Sequence, residues 1–211
     1  MKLTPDILLQ AYRSGVFPMA EHRDDPELFW VEPRNRGIIP MGGLHISRSL
    51  AKQIRRGGFA VTRDTAFVRV MEACANRRDT WINGEIFALF NALHQRGQAH
   101  SVEVWVGNAL VGGIYGLELG GAFCAESMFS RETGGSKIAL AYLMDVLDRA
   151  EFSLFDTQFL TDHLASLGGI EIPRDTYLAK LQHALSEKPG FARTALASSG
   201  HDVVQRNTQT S

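Results

Sequence analysis

The chain has 211 residues, 45% of them hydrophobic and 21% charged, with a formal net charge of -1, a balance that excludes a disordered chain and a globally basic nucleic-acid binder. Its two cysteines, Cys74 and Cys124, are too few for a disulfide framework and fit a reducing, cytoplasmic compartment. The opening MKLTPDILLQAY lacks the apolar core of a signal peptide, and no run of about 18 apolar residues is present to span a membrane.

The first element is predicted to be a short helix: Thr4 caps it, Pro5 suits its first turn, Leu8, Leu9 and Tyr12 recur at helical spacing, and Gly15 ends it. The proline-rich VFPMAEHRDDPELFWVEPRNRGIIP reads as loop or short strands. Ser47 opens a second helix through Ile54, Asp64 caps a third carrying Phe67, Val70, Met71 and Cys74, and Asn83 caps a fourth that ends at Gly97. From residue 99 the pattern changes to strands, VEVWV, ALVGGIYGLEL and AFCAESMF, joined by turns at Gly107-Asn108 and Gly120-Gly121, which predicts an antiparallel meander. A helix over about 136–149, a strand at SLFDTQFL, and helices through HLASLG and YLAKLQHAL follow. The polar stretch from about Ser186 is expected to fray. A helical first half followed by strands suggests two lobes.

Few residues announce chemistry. Asp156 and Gln158, two apart on one strand, should share a face about 6.5–7 Å apart, with Phe155 and Phe159 on the other. They are either a hydrogen-bonded core pair, a solvent-facing edge, or a site. Glu126 ends a neighbouring strand, where it either faces the same cleft or pairs with a cation such as Arg131. RETGGSK (131–137) opens a helix and reads as a phosphate-binding turn or a plain cap. Arg48, Lys52, Arg55 and Arg56 lie on or beside one helix, with Arg63, Arg69, Arg77 and Arg78 after them; they form a local phosphate-binding face or an ordinary solvated one. The seven histidines and two cysteines show no metal-ligand spacing. Cys124, inside an apolar strand, reads as core.

Together the motifs resemble the leucyl/phenylalanyl-tRNA–protein transferase family. The matches are AYRSGVFP (11–18), FWVEPRNRGIIP (29–40), LHISRSL (44–50), TWI (80–82), AHSVEVW (99–105), LVGGIYG (110–116), FCAESMFSR (123–131), SKIAL (136–140), FDTQ (155–158), DHLASLG (162–168) and EIPR (171–174), spread over residues 3 to 185. The resemblance implies an α+β fold. A small, trimmed N-terminal domain (1–60) would join a GNAT-like acyltransferase domain with a mostly antiparallel sheet (61–187), followed by a polar tail (188–211). It implies transfer of leucine, phenylalanine or methionine from aminoacyl-tRNA to proteins beginning with Arg or Lys, which makes an N-degron for proteolysis. No metal, CoA or other cofactor is expected, and the chain is expected to be a monomer.

By the same resemblance Asp156 and Gln158 are catalytic. Gln158 would hold the attacking amine through its amide oxygen, and Asp156 would orient Gln158 and relay a proton. Ile114, Phe123, Met128, Leu140 and Leu143 would line the aminoacyl pocket, with Glu126, Trp81 and Tyr12 as further substrate contacts. Arg48, Lys52, Arg55 and Arg56 would meet tRNA. Met19 stands where many members carry a tryptophan for the terminal adenosine, which leaves Trp81 and Trp30 as the candidate aromatics. Two other readings stay open: an acyl-CoA-dependent N-acetyltransferase and a non-catalytic tRNA-binding module.

Overall fold

A computed structural model describes residues 3–77 and 80–209; Arg78, of the basic series, lies outside them. In chain order the elements are α1 (Pro5–Arg13), β1 (Phe17–Met19), β2 (Phe29–Val31), β3 (Asn35–Ile38), α2 (Arg48–Arg56), β4 (Ala60–Arg63), α3 (Phe67–Ala75) and α4 (Gly84–Gln95). There follow β5 (Ala99–Val106), β6 (Ala109–Leu119), β7 (Ala122–Ser130), α5 (Gly135–Arg149), β8 (Leu154–Gln158), α6 (Asp162–Ala165), β9 (Ile170–Pro173), α7 (Arg174–Leu185) and α8 (Gly200–Gln209).

The expected caps of α1, α2 and α4 form. Thr4, Ser47 and Asn83 each accept a hydrogen bond from a backbone N–H three residues on, which satisfies an orphan donor of the first turn. Asp64 does not cap α3. It sits in the left-handed region at φ 59, and its carboxylate accepts instead from Ser101 N–H and His100 Nδ1, both at 2.8 Å. Glu103 takes over at the start of α3, reaching Ala66 N–H at 3.4 Å, and is fully buried on the hydroxyls of Ser101, Thr62 and Thr65. The polar residues of HSVEVW thus fasten β4 and α3 to β5. His100 also faces Glu118 at 3.1 Å. Burial alone would lower its pKa, but Asp64 and Glu118 override that and raise it to about 9.

The meander is present as β5–β6–β7 and supplies three strands of a seven-stranded sheet in the order β4-β5-β6-β7-β8-β3-β9. Five neighbouring pairs are antiparallel and β7–β8 is parallel, so the sheet is mixed. Three short strands, β3, β4 and β9, were not foreseen individually. β3 belongs to the N-terminal side of the expected boundary at residue 60, yet it lies between β8 and β9. Helices cover both faces. One apolar cluster joins α1, α3, α4 and α7 to the sheet through residues such as Leu117 and Cys124. The other joins α2, α5 and α8 to it through Val102, Ile114, Phe123 and Phe155. Alternate residues of one strand serve opposite clusters, as the two-residue period of a doubly covered sheet requires.

The C-terminal stretch departs from the fraying expected of it. Helix α8 places Val203 and Val204, both 0% exposed, in the second cluster, while Arg206 pairs with the buried Asp145 at 2.5 Å. The few apolar residues of a polar segment are spaced to fall on one face, and burial of that face holds the helix. Among the described residues no helix is long and apolar enough to cross a membrane.

Candidate active site

The parallel pairing of β7 with β8 runs from Ala122–Leu154 to Cys124–Asp156 and stops. Beyond it β7 continues along β6, while β8 turns so that Gln158 pairs with Gly37 of β3. The strands splay, and the gap opens into a cleft of about 630 Å³ with a small apolar pocket of about 80 Å³ beside it. Glu126, Ser127, Met128, Thr157 and Leu164 border both cavities.

A buried polar network forms the wall of this gap. Gln158 Nε2 donates to Glu126 Oε2 at 2.9 Å, and Tyr12 of α1 donates its hydroxyl to Glu126 Oε1 at 2.8 Å. Glu126 does not pair with Arg131, which donates to the Leu110 carbonyl and lies over the Phe129 ring. Burial pushes the Glu126 carboxyl up from 4.5 to about 8, although the hydrogen bonds from Tyr12 and Gln158 pull the other way. Burial and the neighbouring Glu126 hold the Tyr12 phenol well above its ordinary range.

Asp156 is 0% exposed. Its side chain meets Gln158 at the backbone N–H, which donates to Asp156 Oδ1 at 2.8 Å. The same carboxylate takes a two-pronged contact from Arg36 of β3, Nε to Oδ1 at 2.8 Å and NH2 to Oδ2 at 2.6 Å, and a hydrogen bond from the Tyr177 hydroxyl at 2.9 Å. Arg36 and Tyr177 were missed in the sequence. Arg36 lies in FWVEPRNRGIIP, but an arginine in a short strand reads as exposed. Here it is 1% exposed, and Asp156 holds it protonated against the cost of burial. Gln158 has φ 64, a left-handed conformation uncommon for a side-chain-bearing residue. Gly37 makes room for this turn: a Cβ there would lie 2.5 Å from the Phe159 carbonyl carbon.

Of the residues expected to line the aminoacyl pocket, Ile114, Met128 and Leu140 border the small cavity, together with Phe155 and Leu164. Phe123 and Leu143 do not border it and are buried in the core; Phe123 is stacked on Phe155 at 6.0 Å. Trp81 borders the large cleft. Trp30 is 46% exposed on β2, and Met19 is half-buried on β1. Arg48, Lys52, Arg55 and Arg56 are all exposed on α2. That helix is tied to the RETGGSK turn by Gln53 Nε2 donating to the Thr133 carbonyl at 2.9 Å. At that turn Gly134 is left-handed, and the Ser136 N–H is satisfied by Ser130 Oγ at 3.2 Å. Cys74 and Cys124 are buried, and burial pushes Cys74 up to about 12 and Cys124 well above its ordinary range, which suits core packing. Glu21, His22 and Asp25 gather possible metal-ligand atoms within 4.8 Å of one another near the surface, a grouping that their spacing did not suggest.

Comparison with known proteins agrees with the motifs. The profile of the family described as leucyl/phenylalanyl-tRNA protein transferase matches residues 38–182, and that of its N-terminal domain matches residues 1–34. The leucyl/phenylalanyl-tRNA–protein transferase of Roseobacter denitrificans is 56% identical over 211 residues, covering 100% of both chains. That of Cereibacter sphaeroides is 58% identical over 209 residues, covering 99% of this chain and 98% of its own. One solved structure, L-PGS from Bacillus licheniformis, aligns with 74% of this chain and 53% of its own at 13% identity and a TM-score of 0.40, too loose a likeness to carry a conclusion. With family profiles spanning most of its length and full-length relatives above half identity, the chain belongs to the leucyl/phenylalanyl-tRNA–protein transferase family.

Proposed function

We propose that the splayed gap between β7 and β8 is where this aminoacyltransferase moves leucine or phenylalanine from tRNA to the N-terminus of a protein. The observation that carries the assignment is the Glu126–Gln158 pair, placed on the border between an apolar pocket and an open cleft. The small cavity takes the aminoacyl side chain, whose apolar burial favours leucine and phenylalanine over smaller residues; methionine fits the same chemistry. The large cleft takes the 3′ end of the tRNA, with Trp81 as an aromatic surface for a base, and the acceptor's first residues. An acceptor beginning with Arg or Lys enters the same cleft, and its product is an N-degron. The sheet that holds the gap reads as GNAT-like, and the basic face of α2 as the surface that meets tRNA phosphates.

The reaction is aminolysis of an ester. The acceptor's α-amine forms a C–N bond to the aminoacyl carbonyl, the bond to the ribose 3′-oxygen breaks, the amine gives up a proton and the 3′-oxygen gains one. An α-amine has a pKa of about 7.7–8.0, and a carboxyl pushed up to about 8 is matched to take that proton and return it to the leaving oxygen. With Nε2 on Glu126, the Gln158 amide turns its oxygen toward the incoming N–H. Positioning supplies much of the rate, because the ester is already activated.

The test is a transfer assay with labelled Leu-tRNA and two matched peptides, one beginning with Arg and one with Ala. Label on the Arg peptide, lost in Gln158→Ala and in Glu126→Gln without loss of tRNA binding, is the expected result. Equal labelling of both peptides, or retention of activity in Glu126→Gln, refutes the assignment.

A further inference from the structure

We propose that Arg36 is a positioning residue for the transfer reaction: with Tyr177 it clamps Asp156, and the clamped carboxylate fixes the backbone of Gln158 so that its amide reaches Glu126. The proposal rests on the transfer reading above. The first ground for it is a count of hydrogen bonds. Asp156 Oδ1 accepts from Arg36 Nε and Gln158 N–H, and Oδ2 accepts from Arg36 NH2 and the Tyr177 hydroxyl. Four donors fill the roughly four lone-pair sites of a carboxylate. Asp156 is also 0% exposed and borders neither cavity of the splayed gap. It has no lone pair to offer an acceptor's cation or a travelling proton unless the clamp breaks.

The second ground is that the clamp is held rigidly. The third arm of Arg36, NH1, donates to the Gly15 carbonyl at 3.0 Å. Its guanidinium lies between two rings, 4.6 Å from the centroid of Phe17 and 4.5 Å from that of Tyr177, a stacked arrangement that suits arginine's planar fork. Arg36 is 1% exposed and borders neither of these cavities, so it touches no substrate, and its two-pronged contact with Asp156 is its direct link to Gln158.

The third ground is what the clamp restrains. Gln158 ends a strand at φ 64, where a residue with a side chain stays only if its surroundings hold it. Its N–H is held by Asp156. Released, the residue relaxes toward extended backbone, and an extended residue sends its side chain to a face set by strand alternation. The Gln158 amide then leaves Glu126. The fork therefore converts a buried ion pair into the aim of a cleft residue.

Steady-state transfer kinetics with Leu-tRNA and the Arg-initiated peptide test this, using Arg36→Met, the double variant Arg36→Met/Asp156→Asn, and Tyr177→Phe. In Arg36→Met, kcat is expected to fall about 100-fold, the scale of a misplacement of about 1 Å, while KM for Leu-tRNA stays within about threefold. The double variant removes both charges, and its asparagine oxygen still accepts from Gln158 N–H. It is expected to regain about tenfold or more of that loss, because no unpaired charge is left buried. A double variant no better than Arg36→Met overturns the proposal, since the charge of Asp156 is then needed in the reaction itself. A KM that rises as far as kcat falls also overturns it. If Arg36→Met does not fold, Tyr177→Phe decides: a fall in kcat of about ten- to a hundredfold at unchanged KM, the scale of one lost hydrogen bond to a charged group, supports the clamp, and an unchanged kcat overturns it. A wild-type chain that transfers nothing sinks the transfer reading and this proposal with it, whereas active wild type beside equally active Arg36→Met sinks the proposal alone.

Discussion

Glu126 allows a prediction about stability that is independent of activity. Its carboxyl is pushed from 4.5 to about 8 by burial, so between those values the folded chain holds a proton that the unfolded chain has lost. Stability therefore falls as pH rises through this window. For one group shifted this far, the linkage relation gives a loss of roughly 2–3 kcal/mol between about pH 5.5 and pH 7.5. Glu126→Gln has no such proton and keeps the shape of the side chain. The assay is equilibrium unfolding by urea of both proteins at the two pH values. The wild type is expected to lose roughly 2–3 kcal/mol relative to the variant on going to the higher pH, because contributions from other groups, His100 among them, cancel in the difference. Parallel behaviour of the two proteins, to within about 0.5 kcal/mol, would refute the reasoning: the Tyr12 and Gln158 hydrogen bonds would then outweigh burial, and Glu126 would be ionised well below neutral pH.

Three further outcomes are expected. Gly37→Ala, which drives a Cβ into the backbone of Phe159, should displace the Gln158 turn and lower transfer kcat by about 100-fold; near-normal turnover would show that the turn tolerates movement. Val203→Ala with Val204→Ala, on the buried face of α8, should cost roughly 3 kcal/mol in chemical denaturation, whereas a frayed tail would lose almost nothing. Replacing Arg48, Lys52, Arg55 and Arg56 by glutamine should flatten the dependence of log Kd for tRNA on log salt, by about 0.7–0.9 for each phosphate contact removed; an unchanged slope would mark α2 as a solvated face.

The sequence was most legible where one residue type at one place answers a local need. Thr4, Ser47 and Asn83 cap helices because a first-turn N–H needs an acceptor, and the apolar runs of β5, β6 and β7 announce buried strands. Strands β3, β4 and β9 are four residues each, and two of them, β4 and β9, lie at the sheet edges, too short for a two-residue period to betray them. Asp64 looked like a cap by position, but a tertiary contact with His100 and Ser101 claimed it. Of the site, Asp156, Gln158 and Glu126 stood out as polar residues on apolar strands. Their partners did not: Arg36 is 120 residues from Asp156 in sequence, and Tyr12 is 114 from Glu126. No local pattern reports contacts at that separation.

Those separations also bear on how the protein is made. Strand β3, which carries Arg36, is synthesised early, yet its neighbours in the sheet are β8 and β9, which are synthesised late. Until β8 emerges, Arg36 has no carboxylate to grip and Gln158 does not exist, and until Tyr177 emerges the clamp lacks its last donor. Long-range closure of this kind is slow and comes near the end of folding. A growing or prematurely ended chain that lacks β8 therefore has neither the clamp on Arg36 nor the turn that carries Gln158, and its cleft is unbuilt however much of the N-terminal side is in place.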